Sequence, residues 1–276
     1  MATLVISAGG SNANAVIFTP VSSALANLSN GAGTIAILMN MATISGQPAQ
    51  DFVGLTAPAS ASSWTAWYHT LAWKSVGGIG MADDDGQVGG NTTGGPNSGN
   101  WGTDWYICSV AWPSTPTGSM NELWSWSSAT TPSWTHQNSN QLNGANRAGP
   151  SPSAAKLSIG YAGDDFTATF SAAVVGIWAG TQLTNLQVEA LVTNKRTSDW
   201  WNNAAGHPTF LSELTSITPT DIGANPSTFS TLFGGASAPS LTGANPPGWT
   251  FDGHGAAGVA ANLAIPPLIT AVRPGY

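Results

Sequence analysis

Along most of the chain the apolar positions recur every second residue or in short unbroken runs, which is the pattern of strands. Leu4–Ile6 and Ala15–Phe18 predict short strands, and Pro20–Asn27 predicts a single helical turn ending in the loop Ser29–Gly33. In Thr34–Met41, Ile35, Ile37 and Met39 alternate with Ala36, Leu38 and Asn40. Both faces are therefore largely apolar, as in a strand inside a two-layer sandwich. Phe52–Leu55, Trp64–Lys74, Gly78–Ala82 and Trp105–Trp112 continue the series, and Glu122–Ser127 with Ser133–His136 predicts a hairpin. Asp83–Gly102 and Gln137–Ser153 are polar, Gly- and Asn-rich stretches that read as surface loops.

The segment 156–191 carries the densest local signal. Two β-prone runs, Lys156–Ile159 and Phe166–Trp178, flank the turn cluster Tyr161–Asp165. Thr184-x-x-Gln187 then has the spacing of a capping box ahead of Leu186, Val188 and Leu191. Beyond it, Ser198 or Asp199 is placed to cap a second short helix through Trp200, Trp201 and Asn203, ended by Gly206 and Pro208. Phe210, Leu211, Leu214 and Ile217, and later Phe229, Leu232 and Phe233, suggest short helical turns within Thr209–Gly234. Trp249–Asp252 is expected to be a closing strand after the turn Asn245–Gly248. The expected division is a domain over 1–252 and an arm, Gly253–Tyr276, rich in Gly, Ala and Pro around the apolar knot Leu263–Ile269. Such an end is either disordered or laid along a neighbour.

Composition changes this picture in one respect. Charged residues make up 7% of the chain, against about 25% in ordinary soluble proteins. An exterior so sparsely charged suits a subunit covered by neighbours better than a free enzyme. The net charge of −7, with six Lys and Arg scattered along the chain, leaves no basic stripe for phosphates, so nucleic-acid binding is not expected. The start MATLVISAGG lacks the basic lead and long apolar core of a secretory signal, and no apolar run reaches the roughly 18 residues of a membrane span. The expectation is synthesis in a cytoplasm and use without membrane insertion. Cys108, the one cysteine, lies in an apolar run and reads as a small buried hydrophobe rather than a reactive thiol.

Catalytic patterns are sparse. The glutamates Glu122, Glu189 and Glu213 are far apart, and no strand carries the alternating carboxylates of a jelly-roll glycanase. His69, His136, His207 and His254 have no zinc spacing. Gly31-x-Gly33-x-x-Ala36 precedes a strand instead of opening a helix, which removes it as a dinucleotide loop. Asp83-Asp84-Asp85-Gly86 is the one acidic cluster; Asp83 and Asp85 are calcium candidates, with a plain turn as the competing reading. Asp164-Asp165 reads as a hairpin turn. No other cofactor is expected, and the chain reads as non-enzymatic.

Thirteen tryptophans remain to be placed. Trp64, Trp67, Trp73, Trp105, Trp112 and Trp178 lie in strand-like runs and suit a core between sheets. Trp101, Trp124, Trp126, Trp134, Trp200, Trp201 and Trp249 fall nearer loops or ends. Of these the first six are the candidate site: they can stack on sugar rings, anchor an interface, or simply pack.

Several stretches resemble laminin-G-like, concanavalin-A-like jelly-roll domains. They are the strand opening Thr34-Ile35 and reaching Met39, the strand with Trp105, Tyr106, Val110 and Trp112, Ile159-Gly160, Gly176-Ile177-Trp178, and the helix start Leu183-Thr184 with Gln187. The resemblance covers roughly Thr34–Leu191 and implies an all-β, two-sheet antiparallel jelly-roll sandwich with one or two short helices and an extended C-terminal arm. Together with Asn245-Pro-Pro-Gly-Trp-Thr-Phe-Asp252, the low charge and the missing signal, the chain resembles minor tail proteins of phages that infect actinobacteria. That resemblance implies a non-enzymatic virion component, in the tail rather than on the capsid surface. Its partners would be other virion proteins or copies of itself, with a host-surface glycan as a further candidate. A carbohydrate-binding module or adhesin, and a capsid decoration protein, are the alternatives.

Overall fold

The computed structural model describes residues 2–6, 15–26, 28, 31–41, 49–56, 67–74, 78–83, 88–89, 105–114, 119–126, 134–141, 156–160, 169–184, 186–188, 191, 207–233, 239–244 and 246. The strands are β1 (Thr3–Ile6), β2 (Ala15–Phe18), β3 (Gly33–Met41), β4 (Ala49–Thr56), β5 (Trp67–Lys74), β6 (Gly78–Asp83), β7 (Val88–Gly89) and β8 (Tyr106–Trp112). They continue as β9 (Ser119–Trp126), β10 (Trp134–Gln141), β11 (Lys156–Gly160), β12 (Phe170–Ala179), β13 (Phe210–Glu213), β14 (Phe229–Phe233) and β15 (Ser240–Gly243). A single turn of helix, α1 (Ser23–Ala26), comes after β2, its Leu25 N–H donating to Ser22 Oγ.

These strands form two antiparallel sheets of a jelly-roll sandwich. The first runs β10-β9-β8-β3-β12-β1-β15, with β13 also on β12; the second runs β14-β2-β11-β4-β5-β6-β7. Alternation along each strand sends one set of residues between the sheets. Ile35, Ile37 and Met39 of β3, Tyr106, Cys108, Val110 and Trp112 of β8, and Val175 and Ile177 of β12 meet Val16, Phe18, Leu55, Leu157 and Ile159 of the second sheet in one apolar core. Edge-to-face ring pairs fix how the layers stack. Phe18 lies 4.9 Å from Phe210, and Phe52 lies 5.4 Å from Phe170. At the other side β6 passes within 8 Å, Cα to Cα, of β8 and β9, and β7 of β10.

The centre of the first sheet is apolar on its other face as well, which explains why β3 and β12 read as nearly unbroken hydrophobic runs. Ala36, Leu38, Trp105, Ile107, Ala173, Val174 and Trp178 pack there against Leu183, Val188, Leu191 and Leu211. The covering helical turn at 186–188 starts where the capping box predicts. Gln187 N–H donates to Thr184 Oγ1 (3.3 Å), Thr184 N–H donates back to Gln187 Oε1 (2.9 Å), and Val188 N–H reaches Thr184 O (3.0 Å). Val188 and Leu191 are buried while Leu186 is 76% exposed, so only part of the expected apolar stripe is used.

Two close approaches are set by glycine. A Cβ on Gly33 would meet the Trp112 ring, with Cε2 2.7 Å away, and the indole N–H crosses to Gly31 O at 3.0 Å. A Cβ on Gly223 would run into the Thr209 backbone, 2.6 Å from its carbonyl carbon. Gly223 belongs to the segment after β13, which Asp221 ties in place: its carboxylate accepts from the N–H groups of Leu211 (3.0 Å), Gly223 (2.8 Å) and Ser227 (2.6 Å).

The structure departs from the sequence reading in several places, among them the short strand β7 inside the stretch Asp83–Gly102 that reads as loop. Within Thr209–Gly234 the apolar clusters form the strands β13 and β14, not helical turns. Phe210 faces the main core and Leu211 the second apolar cluster, so neighbouring residues are buried on opposite faces. The runs on either side of Asp164-Asp165 do not pair with each other as a hairpin: β11 pairs with β2 and β4 in one sheet, while β12 pairs with β1, β3 and β13 in the other. The β9–β10 hairpin is present, but β10 runs to Gln141, into a stretch that reads as loop. A late strand closing the first sheet is β15, paired with β1. The expected strand Trp249–Asp252, the helix through Trp200 and Trp201, and the arm Gly253–Tyr276 lie outside the described residues.

Candidate recognition face and inter-sheet row

Four strands at one side of the sandwich, β5 and β6 in the second sheet and β9 and β10 in the first, mix polar and aromatic positions in their sequences. Register assigns each position to a face. On β8, Cys108 belongs to the core and Ile107 to the opposite face. Trp124 pairs with Cys108, Trp126 with Tyr106 and Glu122 with Val110, so these three occupy the inner-face register. Ser125 pairs with Ile107, Leu123 with Ser109 and Asn121 with Ala111, which puts them on the outer face. Across the hairpin, Trp134 pairs with Ser125, His136 with Leu123 and Asn138 with Asn121, while Thr135 and Gln137 continue the inner face.

The outer-face register of β9 and β10 therefore gathers one tryptophan, one histidine, two asparagines, a serine and a leucine. Directly paired positions lie about 5 Å apart, and Trp134 to Asn138 spans about 14 Å along the strand. Residue types of this kind, with amides, hydroxyls and an aromatic ring, supply neutral donors, acceptors and an apolar plane. That chemistry suits a polar, uncharged ligand such as a short oligosaccharide.

The inner-face register has different chemistry. In the second sheet, Phe18, Leu157, Leu55, His69 and Asp83 are successive cross-strand partners from β2 to β6. In the first, Phe210, Ile177, Ile35, Val110, Glu122 and Gln137 form the corresponding row from β13 to β10. The Phe18–Phe210 contact brings the phenylalanine ends of the two rows together. Both rows begin with phenylalanine and aliphatic side chains and end in titratable or amide residues.

Of the six tryptophans proposed from sequence, register puts Trp124 and Trp126 on the inner face and Trp134 on the outer one; Trp101, Trp200 and Trp201 lie outside the described residues. The calcium candidates divide likewise, with Asp83 ending β6 opposite His69 and Asp85 outside the described residues. Sequence reading missed the Asn121, His136 and Asn138 grouping and the His69–Asp83 pair, because both depend on which strand lies alongside. The strict alternation of Trp134, His136 and Asn138 with Thr135 and Gln137 was the available signal. With polar residues on both faces it has no hydrophobic period to reveal it.

Among residues whose side chains are described, no group of three or more His, Cys, Asp or Glu stands together as a metal set. Cys108 is buried, and burial pushes its thiol well above the usual range, which leaves it protonated and inert. Burial also pushes Asp221 up to about 6, against the lowering effect of the Ser227, Gly223 and Leu211 N–H groups. Its bonds all go to its own segment and β13, which marks a structural tie. Glu213 is fully buried on β13. No helix among the described residues is long and apolar enough to cross a membrane.

No protein-family model matches the chain, and no curated protein matches it. Among solved structures it is similar to the CBM40 domain of Ruminococcus gnavus IT-sialidase bound to α2,3-sialyllactose, at 12% identity over 70% of this chain and 97% of that one, with a TM-score of 0.41. A receptor-binding domain is similar at 10% identity over 79% of this chain and 52% of that one, with a TM-score of 0.42. A family 7 alginate lyase, A1-II′, is similar at 9% identity over 56% and 64%, with a TM-score of 0.32. At such identities and scores these neighbours add nothing to the two-sheet sandwich that the strand order already defines.

Proposed function

We propose that this chain is a non-enzymatic recognition subunit of a bacteriophage virion, a minor tail protein that reads a glycan on the host surface through the outer face of β9 and β10. The observation that carries the glycan reading is the register that sets Trp134, His136 and Asn138 beside Ser125, Leu123 and Asn121 on one face of the hairpin. The sparse charge of the chain supports the assembly reading. The tail location rests on the sequence resemblance alone.

The glycan claim is tested by calorimetric titration of the full chain with polysaccharide from the host cell wall. Binding is expected, with Trp134→Ala weakening it about tenfold or more, as for an aromatic anchor worth at least about 1.4 kcal/mol. Unchanged affinity of the folded variant contradicts the claim. The virion claim is tested separately: the chain is expected in purified particles by mass spectrometry, and complete infectious particles without it contradict that part.

A further inference from the structure

We propose that Gln182 is a specificity-determining residue beside the β9–β10 face, where its carboxamide meets a hydroxyl of a neutral saccharide. The inference rests on the glycan reading and adds to it one side chain and the charge class of the ligand. It starts from an outer-face row that crosses the first sheet. Trp178 of β12, Thr34 of β3, Ala111 of β8, Asn121 of β9 and Asn138 of β10 are successive cross-strand partners. The chain leaving β12 turns back over this row at Gly180, which has a φ of +84° and donates its N–H to Ala32 O (2.7 Å). Thr34 Oγ1 then donates to Thr181 O (2.9 Å) and accepts from Leu183 N–H (2.9 Å), which pins 181–183 over β3. Gln182, between those two bonds, reaches the next strand, where its Nε2 donates to Ala111 O at 3.4 Å. Leu183 joins Ile107 of β8 in the outer apolar cluster, and Ile107, Ser109 and Ala111 are all buried. Gln182 therefore stands half-buried over β8, one strand from the proposed face. Asn121 and Asn138 follow along the same row, about 5 Å and about 10 Å from Ala111.

Two properties suit this side chain to a ligand. A separation of 3.4 Å lies beyond the usual range for an N–H···O bond, so the bond to Ala111 is weak and is exchanged for a saccharide hydroxyl at little cost. A carboxamide also has two N–H donors and an acceptor oxygen, which lets it meet a hydroxyl in either sense. Charge sets the ligand class. Segments 105–112, 119–126, 134–141 and 180–188 contain no Lys or Arg. Their one acid is Glu122, on the inner-face register. An acidic sugar calls for a guanidinium or ammonium group at its carboxylate, whereas amides, hydroxyls and an indole ring serve a neutral one. The sequence hides this role because 180–183 reads as the link between a strand and a capped helix, and only the fold lays it beside Ala111.

The probes are the neutral and acidic polysaccharide fractions of the proposed host's cell wall, separated by anion exchange and titrated calorimetrically into the full chain. The neutral fraction is expected to bind and the acidic fraction is not. Gln182→Ala should lower the affinity about threefold to tenfold, the worth of one hydrogen bond. Gln182→Glu, which keeps the length and removes the donors, should lower it at least as far. Leu186→Ala, on an exposed side chain of the same segment, should leave it unchanged. Affinity that survives both Gln182 variants while Trp134→Ala weakens binding overturns this inference and leaves the glycan reading standing. Equal loss with Leu186→Ala, or tighter binding of the acidic fraction, overturns it as well. Binding that neither Trp134→Ala nor the Gln182 variants weaken, or no binding of either fraction, contradicts both. Should one Gln182 variant fail to fold, the other decides.

Discussion

Replacing Asp221 with asparagine separates two effects that oppose each other at this residue. The carboxylate accepts three backbone N–H bonds, which favours the anion, yet it is 5% exposed, which favours the neutral acid. Burial wins, and the pKa rises from 3.8 to about 6. The folded chain therefore holds a proton between about pH 6 and pH 4 that the unfolded chain has already released. Stability from this group must rise as pH falls through that window. Two pH units at about 1.4 kcal/mol each set the scale at about 3 kcal/mol, of which about 2 to 3 kcal/mol is gained between pH 7 and pH 4. Asparagine does not titrate, and its amide nitrogen cannot accept from Ser227 N–H in place of Oδ2, a loss of about 1 to 3 kcal/mol. Urea unfolding of wild type and Asp221→Asn at both pH values measures the difference directly, because the other carboxylates cancel. The wild-type advantage should widen by about 2 to 3 kcal/mol on going from pH 7 to pH 4. A constant gap, or one that narrows, would refute the assignment and show that the three N–H bonds outweigh burial.

Two further substitutions test the packing. Among the described residues Ser212 Oγ is buried with no hydrogen-bond partner, so Ser212→Ala should raise stability by about 1 kcal/mol, read as a higher urea midpoint at unchanged slope. Gly33→Ala drives a methyl group into the Trp112 ring, which is itself held by the bond from its indole N–H to Gly31 O. A loss of about 1 to 3 kcal/mol is expected, with a shift in tryptophan fluorescence; equal stability would mean that the ring is not packed on this glycine.

One physical divide separates the features legible in the sequence from those it hides. Thr184 and Gln187 are legible because a capping box is made by residues three apart, and their hydrogen bonds form as the spacing demands. The long strands β3, β8 and β12 are legible because both faces of the first sheet are buried at its centre, which leaves apolar runs. Phe210, Leu211, Leu214 and Ile217 mislead because their spacing matches one face of a helix, whereas only Phe210 and Leu211 lie on β13, Leu214 follows it and Ile217 is exposed. Chain order says that β11 precedes β12 but not that the chain changes sheets between them. Nor does it say which tryptophan of the β9–β10 hairpin lies on which face. Trp124 and Trp134 are separated only by strand pairing, and the His69–Asp83 and Glu122–Gln137 pairs exist only once that pairing is known.

The most direct test of the proposed glycan-binding role of the β9–β10 face is hydrogen–deuterium exchange of the full chain with and without polysaccharide from the cell wall of the proposed host. Slower exchange confined to 119–126 and 134–141, and abolished by Trp134→Ala, is the predicted result. Binding that leaves those two strands unchanged and protects another part of the sandwich would contradict it.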